Sequence, residues 1–185
     1  MLKGSVYVTE RITNVIRVYN LELSLERIIK LDGVVLSVHK SISVANNTIA
    51  VVDGLDAIAL LNDNEAQQSN KLCHIHANMN CIEDVKIYNE NSEEYLVYSV
   101  DSCNNNVKEF KKDKKNETIK FKREFEVING IAVNSVRSSA GFMAIVTHSP
   151  SKIDVINMKN CQWYKNSKKI AFDVLFSSVD VLKLI

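Results

Sequence analysis

Short apolar strands that alternate with polar turns recur along the whole chain. In the segment NVIRVYNLEL, residues 14–23, Ile16 and Val18 alternate with polar or amphipathic residues, which predicts a short strand with one apolar face. The strand ends at Asn20, a residue type that favours turns because it tolerates positive φ and bonds its own backbone. If similar strands return at a regular interval, that interval indicates the architecture.

Four segments share one plan, in which an apolar strand, a polar turn and a second alternating strand follow each other. They give the predicted hairpins 5–20, 48–62, 95–111 and 142–157. The first apolar residues of the second strands are Ile16, Ile58, Val107 and Ile153. These residues are separated by about 42, 49 and 46 positions, close to the roughly 40–45 of a four-stranded propeller blade.

Further alternating segments lie between the hairpins, so each repeating unit holds about four short strands. The predicted strands are 25–31, 34–41, 71–77, 81–89, 118–127, 130–138, 162–166 and 170–178. Helical periodicity is nearly absent: residues 23–31 could form a helical turn or two, but they equally suit an edge strand. The sequence therefore predicts an all-β fold.

The segment NVIRVYNL resembles the third strand of a WD-repeat blade, with Tyr19 and Asn20 where that family carries Trp-Asp. Residues 83–111 resemble the first three strands of one repeat, with Asp101 at the acidic position of the turn. No clear Gly-His dipeptide is present and Trp163 is not followed by Asp, so these would be divergent blades. The resemblance implies a β-propeller-like domain over residues 1–185 and a scaffolding role in a multiprotein complex.

About four blades fit in the chain, whereas propellers of this type usually need six or seven to close a ring. Three outcomes are physically reasonable: a small four-bladed ring, a propeller completed by a partner, or a piece of a longer protein. The strand pattern up to the last residue favours the second or the third. We therefore expect an incomplete or partner-completed propeller, with another protein or a second copy covering exposed blade edges and faces.

Composition and charge exclude only a few broad classes of protein. The 185 residues suffice for one domain, and 46% hydrophobic with 24% charged residues is ordinary for a globular protein. The formal net charge of +1 gives no global attraction to nucleic acid or anionic membrane. The N-terminus does not resemble a secretory signal and no apolar run is long enough to span a membrane. We expect a cytoplasmic or nuclear protein whose four cysteines are reduced thiols.

The strongest local charge feature is the lysine-rich hairpin 108–123, KEFKKDKKNETIKFKR. One interpretation is a solvated hairpin tip, with Phe110 and Phe121 facing the core. The alternative function is an association with nucleic acid or ribonucleoprotein, with binding that weakens steeply in salt. Its candidate contact residues are Lys111, Lys112, Lys114 and Lys115.

Two further segments invite a chemical interpretation. Residues 73–81, CHIHANMNC, hold two cysteines and two histidines, but alternation in a strand points His74 and His76 away from Cys73, so no metal site is predicted. Residues 146–152, VTHSPSK, predict a polar turn at Pro150, since neighbouring His and Ser residues do not supply catalytic geometry. We predict no cofactor and no enzymatic activity; a third possibility is an enzyme with its site at the propeller axis.

Overall fold

The fold is described here from a computed structural model, with side chains as far as residue 126 and by backbone path and pairing from residue 131 onward. The described residues are 4–10, 12–31, 33–34, 36, 41–45, 47–63, 71–76, 78–89, 94–113, 118–126, 131–139, 142–149, 151–157 and 162–163. Within these ranges every regular element is a β-strand. No helix in this part of the chain is long and apolar enough to cross a membrane.

The strands follow each other in antiparallel meanders that form separate sheets. Sheet A holds β1 (Ser5–Glu10), β2 (Val15–Asn20) and β3 (Leu25–Lys30). Sheet B holds β4 (Ile42–Ala45), β5 (Thr48–Asp53), β6 (Ala57–Asn62) and β7 (Lys71–His76). Sheet C holds β8 (Ile82–Asn89), β9 (Glu94–Asp101), β10 (Asn106–Asp113) and β11 (Ile119–Glu126). Sheet D holds β12 (Ile131–Ser139), β13 (Phe142–Ser149), β14 (Ser151–Asn157) and β15 (Gln162–Trp163).

The prediction of an all-β, propeller-like fold with about four blades is confirmed. Three of the sheets have four strands, and sheet A has three among the described residues. Each sheet packs on the next in chain order: β1 lies against β4, β4 and β5 against β8, and β8 and β9 against β12. The four sheets therefore form an array with sheet A at one end and sheet D at the other.

The positions of most strands agree with the alternation in the sequence, but the first strand of sheet B does not. The pattern predicts a strand at 34–41, whereas β4 spans Ile42–Ala45. Leu36 in this segment makes a bridge to Asp53, and residues 35 and 37–40 lie outside the described residues. Alternation alone could not place this strand, because apolar residues run with the same period through both segments. The predicted strand 170–178 also lies outside the described residues.

Sheet B lies between sheets A and C in the described core. Its strands β5 and β6 are buried along almost their whole length, because each face packs on a different neighbour. One face faces sheet A and contributes Ile49, Val51, Ala59 and Leu61. The opposite face faces sheet C and contributes Ala50, Val52, Ile58 and Leu60. The uninterrupted apolar runs of β5 and β6 are what a strand covered on both faces requires.

Asn14 forms the turn between β1 and β2 and also fixes the loop that follows β3. Its backbone is left-handed, with φ of 53°, a conformation that Asn tolerates better than most residues. Its side-chain amide donates to the carbonyls of Leu31 and Val34, and its side-chain oxygen accepts from the Leu36 amide. One side chain therefore holds a hairpin turn and the connection from sheet A to sheet B together.

Candidate interaction surface

Sheet A presents one face to sheet B and leaves the other face open. Tyr7 of β1, Val18 of β2 and Arg27 of β3 are cross-strand neighbours on the covered face. Because side chains alternate along a strand, the residues between them lie on the opposite face. That surface, called the open face below, comprises Val6, Val8, Glu10, Val15, Arg17, Tyr19, Leu25, Ile28 and Lys30, of which Val15 is buried.

The covered face of sheet A is attached to sheet B by polar as well as apolar contacts. The Tyr7 hydroxyl donates to Asp63 at 2.5 Å, and an Arg27 guanidinium nitrogen lies 2.6 Å from the other oxygen of that carboxylate. Burial of the phenol, and then the hydrogen bond to Asp63, raise the pKa of Tyr7 from 10.0 to about 12. Asp63 follows β6, so these bonds join strands of two sheets. This face therefore already has its partner.

The open face combines exposed aliphatic side chains with one ion pair. Val8 is 44% exposed and Leu25 47%, in contrast to β5 and β6, which are buried on both faces. Between them, Arg17 Nε lies 2.6 Å from Glu10 Oε2. The hydrogen bond from Arg17 lowers the pKa of Glu10, so the pair stays ionised near neutral pH. The surface is thus apolar at its sides and electrically neutral at its centre.

A β-bulge in sheet A places Leu25 on the open face. The register between β2 and β3 shifts after Val18, so that Tyr19 pairs with Leu25 and Glu26 is the extra residue. Without that shift, strict alternation from Ile28 would turn Leu25 to the covered face. The sequence pattern gave no signal for the bulge.

The turn between β2 and β3 adds two more exposed leucines at one end of this sheet. Asn20 closes the turn, with its side-chain oxygen accepting from the amides of Glu22 and Ser24. Leu23 adopts a left-handed backbone with φ of 60° and is 71% exposed, and Leu21 is exposed as well. A leucine with a left-handed backbone is strained, and the exposed side chain of Leu23 does not offset that strain by hydrophobic burial. The turn is therefore a candidate contact region.

The described lysines of the lysine-rich hairpin are more buried or more engaged in ion pairs than the sequence indicates. Lys111 Nζ pairs with Glu94 at 2.7 Å, and Lys112 is only 4% exposed. Lys111 and Lys120 line a cavity of about 310 Å³ together with acidic residues of the same sheet. Lys114 and Lys115 lie outside the described residues. Nucleic-acid contact by this hairpin stays a prediction, and the burial of Lys112 leaves that side chain little access to a phosphate.

The two phenylalanines of this hairpin differ in their surroundings. Phe110 is buried in the contact between sheets B and C, as predicted. Phe121 is 54% exposed, so the prediction that it faces the core is wrong. Its ring meets that of Phe110 edge to face at 5.9 Å, and β11 is the edge strand of sheet C. A residue on an edge strand extends beyond the neighbouring sheet, a fact that alternation does not reveal.

The bulge between β10 and β11 brings two basic side chains to one buried carboxylate. Glu109 has no exposed surface, and it contacts Arg123 at 2.6 Å and Lys122 at 2.7 Å. Because the register shifts after Glu109, two successive cations of β11 reach the same acid. Two basic residues of the hairpin are therefore paired with Glu109 within sheet C.

The segment 73–81 does not assemble a metal site in the described part of the chain, where no cluster of three ligand residues occurs. His74 Nε2 lies 2.9 Å from Asp53, and the rings of His74 and His76 contact each other on one face of β7. Cys73 packs from the other face against the core. This arrangement follows the alternation of the strand.

Cys81 and Cys103 form a disulfide, so the prediction that all four cysteines are reduced thiols is wrong for these two. They lie in the β7–β8 connection and the β9–β10 turn, which bring their Cα atoms within 5.3 Å. Spacing in the sequence could not reveal this pair, since it depends on the meander of sheet C. The cytoplasmic or nuclear location, inferred partly from reduced cysteines, stays a prediction.

A buried polar network joins the same two loops. Asp101 is fully buried and accepts from the Asn104 side chain, while Lys108 Nζ lies 3.3 Å from its carboxylate. Lys108 also donates to the Asn78 carbonyl, and the Asn80 amide donates to Asp101. Asp101, the last residue of β9, is therefore a buried acid next to the β9–β10 turn, with a lysine as its buried partner.

The segment 146–152 forms the hairpin between β13 and β14, with His148 paired to Ser151 through the backbone. Pro150 lies outside the described residues. The absence of enzymatic activity stays a prediction.

Comparison with solved structures shows the same class of fold. A chain of the mitotic checkpoint complex matches with a TM-score of 0.56 and 12% identity, over 86% of this chain and 45% of that one. BamB from Moraxella catarrhalis matches with a TM-score of 0.53 and 8% identity, over 87% and 48%. A protein from Lactobacillus plantarum matches with a TM-score of 0.59 and 13% identity, over 86% and 52%.

These structures include WD40-type propellers, so this chain has a propeller-like fold. It spans about half the length of the solved chains that it matches. No protein-family model and no curated protein matches the sequence. The finer assignment to the WD-repeat family therefore stays a prediction.

Proposed function

We propose that this chain is a non-catalytic protein-interaction scaffold that docks in a multiprotein complex through the open face of sheet A. The observation that supports the proposal is the contrast between the two faces of one sheet. One face is joined to sheet B by apolar packing and the bonds of Tyr7, Arg27 and Asp63, while the other exposes aliphatic residues. Clustered exposed apolar residues are typical of protein interfaces.

The chemistry of the open face favours another β-sheet as its partner. Val6, Val8 and Ile28 project from a twisted sheet, and an apolar sheet face packs on such a surface much as sheet B does on the covered side. The Glu10–Arg17 pair balances its own charge, so the partner needs no compensating charge at that position. β1 also forms one edge of sheet A, where a strand could be added through backbone hydrogen bonds.

The fold comparisons support this role only at the level of architecture. One similar chain comes from a multiprotein complex, and sequence identities near 10% show the fold alone. Propellers host many unrelated functions, so the proposal depends on the open face and not on the fold class.

The experiment is affinity purification from the cells that make the protein, with two matched variants. Val8→Glu places a charge on the open face, whereas Leu55→Glu places one at an exposed leucine in the β5–β6 turn, which is 60% exposed. We expect partners to be retained by the wild type and Leu55→Glu and lost with Val8→Glu. Equal recovery of partners with all three proteins, each shown to be folded by circular dichroism, would reject the open face as the docking surface.

A further inference from the structure

We propose that the open face of sheet A is covered by sheet D of a second copy of this chain, so that two copies form one closed ring. This inference rests on the proposed function, because it names the partner that occupies the docking surface. The ring would hold the four described sheets of each copy.

The order of the sheets supplies the first argument. Among the described strands, sheets B and C each lie between two neighbours, whereas sheets A and D are the two ends of the array. Val6 and Val8 are exposed on the side of sheet A that points away from sheet B. An arc with two different ends closes most simply when the first end of one copy meets the last end of another.

The sequence of sheet D supplies the second argument. Phe142 to Val146 in β13 are apolar at five consecutive positions, FMAIV. Such a run is typical of a strand that is covered on both faces. β5 and β6 have the same kind of run and are buried on both sides. One side of sheet D has sheet C as its neighbour, through β12, and the sequence pattern predicts a cover for the other side too.

Symmetry supplies the third argument. A two-fold axis makes both contacts between sheets A and D identical, so the ring closes and growth stops at the dimer.

The charges of the open face are compatible with an apolar cover. Glu10 and Arg17 are joined at 2.6 Å, so covering the centre of this surface buries a neutral pair. The residues around the pair, Val6, Val8 and Leu25, are aliphatic. An apolar strand such as β13 offers the matching chemistry.

The test is sedimentation equilibrium of the purified chain over a wide range of concentrations. One copy has a mass of 20.9 kDa, and we expect the wild type and Leu55→Glu to have twice that mass. Val8→Glu buries an unpaired charge in the contact and should weaken dimerisation about 100-fold. Leu25→Lys, on β3 of the same face, is the second variant in case Val8→Glu fails to fold.

Three outcomes would overturn the inference: a wild type that stays monomeric, a dimer that both open-face variants leave intact, or assemblies that keep growing beyond the dimer. A monomeric wild type that still loses its cellular partners with Val8→Glu would leave the proposed function standing and replace the second copy with another protein. A monomer without partners that depend on Val8 would reject both.

Discussion

Asn14 shows how a single side chain can compensate for an unfavourable backbone. Its left-handed conformation costs most residues about 1–2 kcal/mol, and its amide group makes three hydrogen bonds to the loop after β3. Sequence reasoning identified asparagine as a residue type that favours turns. It could not identify which loop the side chain would bind, since that contact spans about twenty residues.

Replacement of Asn14 should separate the contribution of its side-chain hydrogen bonds to stability from that of its backbone conformation. Asn14→Ala loses the hydrogen bonds and keeps the strain, and we expect it to lower the free energy of unfolding by about 3 kcal/mol. Asn14→Gly loses the same bonds but tolerates positive φ, so its loss should be about 1 kcal/mol smaller. Urea unfolding measures both. Equal losses would show that the backbone conformation contributes nothing.

The titration of Tyr7 makes the stability of the protein depend on pH in the alkaline range. Its pKa is raised from 10.0 to about 12, so the folded protein holds the phenolic proton more tightly than the unfolded chain. The resulting stabilisation is fully present below pH 10 and is lost as the pH rises through 12. Tyr7→Phe should therefore lose less stability over this range than the wild type, as measured by urea unfolding.

The variant Asp63→Asn tests the cause of that shift. Burial is the largest contribution and the carboxylate is the next, so the pKa of Tyr7 should fall in this variant but stay above 10.0. The ultraviolet absorbance of the phenolate measures it, with Tyr7→Phe as the blank. A return to the ordinary value would show that the charge of Asp63, and not burial, sets the pKa.

At the scale of the element, alternation in the sequence predicted most strands because each buried face has its own period of two. The runs of β5 and β6 and the hairpin with Phe110 follow directly from it. Alternation failed where a sheet ends, as it did for Phe121, and it did not predict β4, which directly follows the predicted segment 34–41. The bulge that exposes Leu25 is of the same kind, since an extra residue changes the phase without changing the composition.

The disulfide stabilises sheet C by tying together two of its loops. Cys81 and Cys103 are 22 residues apart. A link of this length lowers the entropy of the unfolded chain and so raises the free energy of unfolding by about 3 kcal/mol. We expect reductant to lower the free energy of unfolding by about that amount, with folding retained because Asp101 and Lys108 still join the loops. The double variant Cys81→Ser/Cys103→Ser is the control.

In that variant the free energy of unfolding should be the same with and without reductant. Equal stability of the oxidised and reduced wild type would contradict the stabilising role. Loss of stability on reduction in the double variant as well would trace the effect to some other group.

At the scale of the whole molecule, the repeat period indicated the architecture because each sheet is a nearly equal unit that packs on its neighbours. It could not show which sheet face would remain without a neighbour, because apolar residues occur on both faces of sheets A and B. That distinction appears only in the burial of Val6 and Val8 compared with Ile49 and Val51. The candidate docking surface is accordingly a result of the three-dimensional arrangement.

The position of sheet A in the chain also bears on the life of the protein in the cell. The ribosome releases β1 to β3 before the other strands, and Val8 and Leu25 remain exposed to solvent even when the described sheets have folded. On the proposal that a partner covers this surface, each newly made chain exposes these aliphatic residues to chaperones and proteases until that partner binds. If the partner is another protein, the abundance of this chain should follow the supply of that protein.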